Sequence, residues 1–115
     1  MLNCLCSLDC PSFSIDINFT PFSVGSSSES SITLDQLRPV HFTIVFNQSK
    51  YYIVPSGDVT VNGLYLNEFT PRMQLHDGST VQFGKYNMSF VICQTAANAK
   101  EIMHLKHEMV QKLVQ

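Results

Sequence analysis

The chain lacks tryptophan, is poor in charge and has no long apolar run. Charged residues make up only 14%. The seven basic residues are Arg38, Lys50, Arg72, Lys85, Lys100, Lys106 and Lys112. They are scattered, which argues against the basic footprint of a nucleic-acid binder. No apolar stretch approaches the roughly 20 residues that a membrane-crossing helix needs. No Lys or Arg precedes Arg38, and Asn3 and Asp9 break the early apolar residues. A secretory leader is therefore not expected, and an intracellular place, nuclear or cytoplasmic, is. The Asn-x-Ser/Thr patterns at Asn18, Asn47 and Asn87 carry no meaning without export.

Against those gaps stands an apolar content of 44%, with a net charge of -2 over 115 residues. That composition fits one folded domain rather than disorder. Cys4, Cys6 and Cys10 crowd the first ten residues. They lack the paired Cys-x2-Cys clips of a zinc site. They also lack the basic stretch that would accompany acylation of Cys4 and Cys6. Reduced thiols are expected, with Cys93 a packing residue on a strand. No cofactor or metal is implied.

Period-two alternation dominates up to about residue 94. Phe13, Ile15, Ile17 and Phe19 alternate with Ser14, Asp16 and Asn18, the pattern of a half-buried strand. Pro21 interrupts it, and Phe22–Val24 restarts a short strand into Gly25. The run 25–31 is a polar, serine-rich loop. Val40–Phe46 and Tyr51–Val54 read as a hairpin about Asn47–Lys50. Val59–Val61 ends at Asn62-Gly63, a strong hairpin signal. Further strands are expected near Leu75, over Thr80–Phe83 and around Met88, Phe90 and Ile92. About ten short strands separated by turns make an all-β sandwich. The expected division is a Cys-rich segment over 1–11, the sandwich over 12–94 and a helix over 95–115.

That last stretch has no Pro or Gly and is rich in helix formers. Thr95 or Asn98 can cap its start. Ile102, Leu105, Met109 and Leu113 fall on one stripe of an amphipathic helix, which Met103 and Val110 widen. The stripe either lies on the sandwich or pairs with another chain, as in a coiled-coil homodimer.

From Ile15 to Ile92, the order of several short motifs resembles a forkhead-associated (FHA) domain. Val61-Asn62-Gly63 is similar to that family's Val-Asn-Gly hairpin. Leu75-His-Asp-Gly78 and Val81-Gln-Phe-Gly84 resemble its Leu-x-x-Gly-Asp-Ile-x-x-Gly run, and Phe90-Val-Ile92 its closing strand. Phe22-Ser-Val-Gly25 stands where the family has an apolar-Gly-Arg turn, and Arg38-Pro-Val-His41 where it has Ser-x-x-His. The resemblance implies a β-sandwich that binds a protein partner through its loops. It also assigns a structural part to Gly25, His41, Asn62 and Gly63.

The departures bear on function. Family members that bind phosphothreonine use an Arg that donates charge-assisted hydrogen bonds to the phosphate. Here that position is Ser26. The family's phosphate-binding Ser is Arg38, and its Asn-Gly-Thr is Gly57-Asp58-Val59, where Asp58 would repel a phosphate facing it. Candidate contacts are Ser26, Ser27, Ser28, Arg38, Ser56 and Asp58. Arg38 could fork onto phosphate oxygens from the neighbouring loop, and the serine amides could form a small anion nest.

A catalytic reading finds little to stand on. Ser26, Cys93, His41, His76 and Asp77 form no nucleophile elbow or phosphate-cradling loop. His104 and His107 sit one helical turn apart without a third ligand in pattern. The expectation is therefore a non-enzymatic, phospho-independent interaction module that acts as a scaffold or complex subunit. One alternative is a phosphothreonine reader built on Arg38. Another is a structural subunit of an assembly, because Pro39-Val-His41 is similar to divergent FHA-like domains in the cytoplasmic parts of bacterial secretion rings.

Overall fold

The structure, a computed structural model, describes residues 5–93. Eleven strands form two sheets. They are β1 (Cys6–Asp9), β2 (Ser14–Ile17), β3 (Phe22–Gly25), β4 (Ile32–Thr33), β5 (Phe42–Asn47), β6 (Lys50–Pro55), β7 (Val59–Val61), β8 (Leu64–Leu66), β9 (Met73–Leu75), β10 (Thr80–Phe83) and β11 (Tyr86–Ile92). The six-stranded sheet runs β2-β1-β11-β10-β7-β8 and the five-stranded sheet β4-β3-β5-β6-β9. All pairings are antiparallel except β3–β4. The described residues contain no helix. The helix expected over 95–115, with its stripe of Ile102, Leu105, Met109 and Leu113, lies outside them.

Alternation places one side chain in two at the interface between the sheets. Ile15 and Ile17 of β2, Phe42 and Ile44 of β5, Ile53 of β6 and Val81 and Phe83 of β10 are all buried. Phe42 meets Phe83 edge-on with centroids 4.8 Å apart, and Tyr51 meets Phe90 at 5.6 Å. Such ring pairs join the two layers at opposite ends of the core.

The expected strands recur with edges shifted by a residue or two, and one strand is new. Cys6–Asp9, assigned from sequence to a Cys-rich segment, form β1 between β2 and β11. Cys6 and Leu8 are fully buried and alternate with Ser7 and Asp9, so cysteine serves as the apolar residue of a strand. Burial pushes the Cys6 thiol up to about 12, because a thiolate there would lose its hydration. Cys93 is disulfide-bonded, which corrects its reading as a packing residue alone and the expectation that the thiols are all reduced.

Two hairpins need left-handed backbone. Asn62 and Gly63 have φ of 51° and 85°, the two positive values of a type I′ turn. The Asn62 Oδ1 also accepts the Thr80 N–H at 2.9 Å, tying the turn to β10. Gln48 and Ser49 make the equivalent β5–β6 turn, with φ of 53° and 68°.

Candidate functional site at one end of the sandwich

Three loops meet at the end opposite the β5–β6 hairpin. They are the β3–β4 loop (26–31), the β4–β5 loop (34–41) and the β6–β7 loop (56–58). The Ser26 N–H donates to the Arg38 carbonyl at 2.9 Å, and the Ser27 N–H to that of Pro39 at 3.2 Å. The Ser30 hydroxyl donates to the Pro39 carbonyl at 2.8 Å. The first two loops thus run side by side.

Gly25 is what allows that approach. A Cβ there would sit 2.0 Å from the Pro39 oxygen and 2.8 Å from the Val40 Cα. Both atoms are backbone and have little room to yield.

His41 clamps the second loop to the third. It is buried, and its Nδ1 accepts the Arg38 N–H at 3.2 Å. That assigns the ring proton to Nε2, which donates to the Asp58 carbonyl at 2.8 Å. The His41 carbonyl accepts the Ser56 and Gly57 N–H groups at 2.8 and 2.9 Å. One residue therefore satisfies polar groups on both loops, which a buried backbone requires. Gly57 fits tightly against it. A Cβ at Gly57 would meet the His41 ring at 3.0 Å and the Arg38 Cδ at 3.1 Å.

Arg38 accordingly lies across the third loop. Its guanidinium reaches Glu68 of the β8–β9 loop at 3.5 Å, with side chains 52% and 37% exposed. Tyr65 of β8 donates its hydroxyl to the Asp58 carboxylate at 2.8 Å. That hydrogen bond is the main reason the phenol titrates above its ordinary value. Phe69, 85% exposed, stands beside Glu68 in the chain.

Of the residues singled out from sequence, Ser26, Ser27, Ser28, Arg38, Ser56 and Asp58 all sit on these three loops. Asn62 and Gly63 belong to the β7–β8 turn. Glu68 and Tyr65 were not foreseen. They approach Arg38 and Asp58 only because β8 and its following loop fold back, and no local pattern announces that. Lys85 joins this end too, since the adjacent Gly84 lies against Leu37. The loops together carry Glu29, Asp35, Asp58 and Glu68 against Arg38 and Lys85. Among the described residues, no group of three or more His, Cys, Asp or Glu could hold a metal, and no helix is long and apolar enough to cross a membrane.

The profile of the FHA domain family matches residues 22–84, the stretch that holds all three loops. The chain belongs to the forkhead-associated family. Solved structures share the fold. The FHA domain of an Arabidopsis thaliana hypothetical protein superposes with a TM-score of 0.65 at 18% identity, over 78% of this chain and 86% of that one. EmbR of Mycobacterium tuberculosis, in complex with a low-affinity phosphopeptide, gives 0.68 at 18%, over 77% of this chain but only 24% of that one. The MEK1 FHA domain in complex with the HOP1 pThr318 peptide gives 0.59 at 17%, over 77% and 97%. No curated protein matches the chain. An FHA domain is a phosphopeptide-binding type of protein-interaction module.

Proposed function

We propose that this FHA domain binds a protein partner without requiring phosphorylation and serves as a scaffold or complex subunit. One observation carries the reading: Arg38, the basic residue on the three candidate loops, is already paired with Glu68. Ser26 replaces the basic residue beside Gly25. Arg38 is held by Glu68 at 3.5 Å, and the Asp58 carboxylate stands on the adjoining loop. A phosphate carries about -1.5 to -2 charge near neutral pH and needs charge-assisted donors to offset its desolvation. Here it would meet a carboxylate for each cation. The exposed Tyr65 and Phe69 suit contact with a protein surface, where aromatic anchors are enriched.

The test is binding of the purified chain to an array of phosphothreonine peptides and their unphosphorylated twins. Equal binding within each pair, or none to either, is the expected result. Consistent preference for the phosphorylated member would overturn the reading.

One observation favours a second reading, a phosphothreonine reader rebuilt on Arg38. The Arg38 stem lies against Gly57 at the meeting of the second and third loops, within reach of a ligand held there. On that reading Arg38→Ala abolishes phosphopeptide binding, and unchanged affinity sinks it.

A further inference from the structure

The exposed aromatic rings fall into two groups. Phe13 meets Tyr86, Phe19 meets Phe22 and Phe46 meets Tyr51, with centroids 6.3, 5.4 and 4.8 Å apart. Those rings belong to the domain's own packing. Tyr65 and Phe69, 57% and 85% exposed, meet no other ring among the described residues. Leu64, 53% exposed, stands with them at the start of β8. The exposure of Phe69 is held in place by the turn that follows. The Asn67 N–H donates to the Thr70 hydroxyl and the Thr70 N–H to the Asn67 carbonyl, both at 2.9 Å. The Phe69 N–H donates to the Asn67 Oδ1 at 2.9 Å. The turn is closed by its own hydrogen bonds and presents Phe69 to solvent.

β8 is also an edge, the last strand of the six-stranded sheet. Register fixes which of its backbone groups look outward. The two-residue turn Asn62-Gly63 makes Val61 and Leu64 a hydrogen-bonded pair, so the next pair, Thr60 with Tyr65, is not one. The Tyr65 N–H and C=O therefore point away from β7, and nothing among the described residues bonds them. Sheet edges are commonly blunted by charge or by brevity. β2 carries Asp16, β9 is preceded by Arg72, and β4 has only two residues. None of the three residues of β8 is charged.

We propose that β8 takes up an extended, basic segment of a partner protein as an added strand, with Tyr65 supplying the backbone pair and Leu64 and Phe69 the apolar contacts. The proposal rests on the phosphate-independent reading above and names the chemistry of its partner. Charge selects the occupant. Between Lys50 and Arg72 the chain has no basic residue, and its acids there are Asp58 and Glu68. Asp58 accepts the Tyr65 hydroxyl at 2.8 Å, and Glu68 adjoins Phe69 in the chain, so the edge is flanked by carboxylates. Arg38 answers Glu68. Asp58 has no cation among the described residues, and its carboxylate keeps lone pairs for a second donor. A Lys or Arg on the incoming segment meets that need. A second copy of this chain would instead bring its own Asp58 and Glu68 to the same edge, and like charges oppose such a pairing.

The test selects random, unphosphorylated peptides from a displayed library on the full chain. Each selected peptide is remade with Glu for its basic residues and, where it holds threonine, with phosphothreonine. Expected sequences alternate apolar residues beside a Lys or Arg, and their binding slows exchange of the Tyr65 amide. Phe69→Ala should weaken binding about tenfold or more, as loss of an aromatic anchor does. Asp58→Lys should turn the preference toward the Glu form. Phe69→Ala alters only an exposed side chain, so it decides the matter alone if Asp58→Lys does not fold. Peptides that bind Phe69→Ala equally well, with amide changes confined to 26–31 and 34–41, would overturn the edge site and leave a phosphate-independent module standing. Preference for the phosphothreonine form would overturn that underlying reading and this proposal with it. Selection of no peptide, or a Tyr65 amide protected only where sizing shows a dimer, would overturn the edge site as well.

Discussion

The brace beneath the loops and the rim above it behave as two different materials. In the brace, Gly25, His41 and Gly57 leave almost no freedom: a Cβ at Gly25 would strike backbone at 2.0 Å, and His41 bonds at both ring nitrogens. In the rim, Ser26, Arg38, Asp58 and Glu68 sit at or near the surface, and the charged groups of Arg38 and Asp58 are held by single exposed contacts, to Glu68 and Tyr65. The brace is set by packing and by the need to satisfy buried polar groups, which only a few residue types meet. The rim answers only to whatever it binds. The loop framework is therefore held more tightly than the side chains on top of it.

Gly25→Ala attacks the brace hardest. The methyl must displace the Pro39 backbone and break the Ser26–Arg38 pairing. Overpacking of this kind costs about 3 kcal/mol, and here the obstacle is main chain rather than a flexible side chain. A urea melt should show an unfolding free energy lowered by that much. A change under about 0.5 kcal/mol would mean that the two loops part easily and that the brace is no more constrained than the rim.

His41→Ala comes next. It leaves the Arg38 N–H and the Asp58 carbonyl without their buried partner, at about 1–3 kcal/mol for such a group. The backbone bonds from Ser56 and Gly57 to the His41 carbonyl survive the change. Amide exchange should therefore quicken at Arg38 far more than at Gly57. Equal acceleration would show that the backbone bonds, not the ring, hold the third loop.

The same contrast decides what could be read from sequence. Motif order and period-two alternation disclosed the sandwich because Asn62-Gly63 and the buried positions of β5, β6 and β10 are local signals. Within the brace, Gly25 and His41 are marked in the sequence only by the family resemblance, and the tight fit of Gly57 against the His41 ring is visible only in the fold. β1 is hidden in the sequence because Cys6 stands in a cysteine cluster, and three of its four residues, Cys6, Ser7 and Leu8, are buried, so no in-and-out alternation marks it. The rim was only half legible. Arg38 and Asp58 were visible as substitutions, but their partners Glu68 and Tyr65 lie on a loop and an edge strand brought near by the fold.

Glu68→Gln sharpens the rim from the other side. An exposed ion pair such as Arg38–Glu68 contributes about 0–1 kcal/mol, so the melt should barely move. The informative readout is binding. With Arg38 released, the proposed phospho-independent module still shows no preference for a phosphothreonine peptide, because Ser26 offers no charge and Asp58 remains. Gain of a clear phosphate preference in Glu68→Gln would show that Glu68 alone had been masking a working site.

The smallest effect concerns Tyr65 and Asp58. The Asp58 carboxylate accepts the phenol proton at 2.8 Å, so ionising Tyr65 would forfeit that bond and set two negative charges side by side. The phenol therefore titrates above 10 in the folded chain. The sign for stability follows from proton counting: above pH 10 the unfolded chain gives up this proton first, so the folded state loses ground as pH rises. An ultraviolet titration of phenolate absorbance should show Tyr65 ionising late, and Asp58→Asn should bring it back toward 10. Since Tyr65 is exposed, the shift should also shrink as salt is raised. A Tyr65 that titrates identically in both proteins would mean that the bond to Asp58 does not persist in solution. Asp58 would then be free to face a ligand directly, and its repulsion of phosphate would be stronger than the rim described here provides.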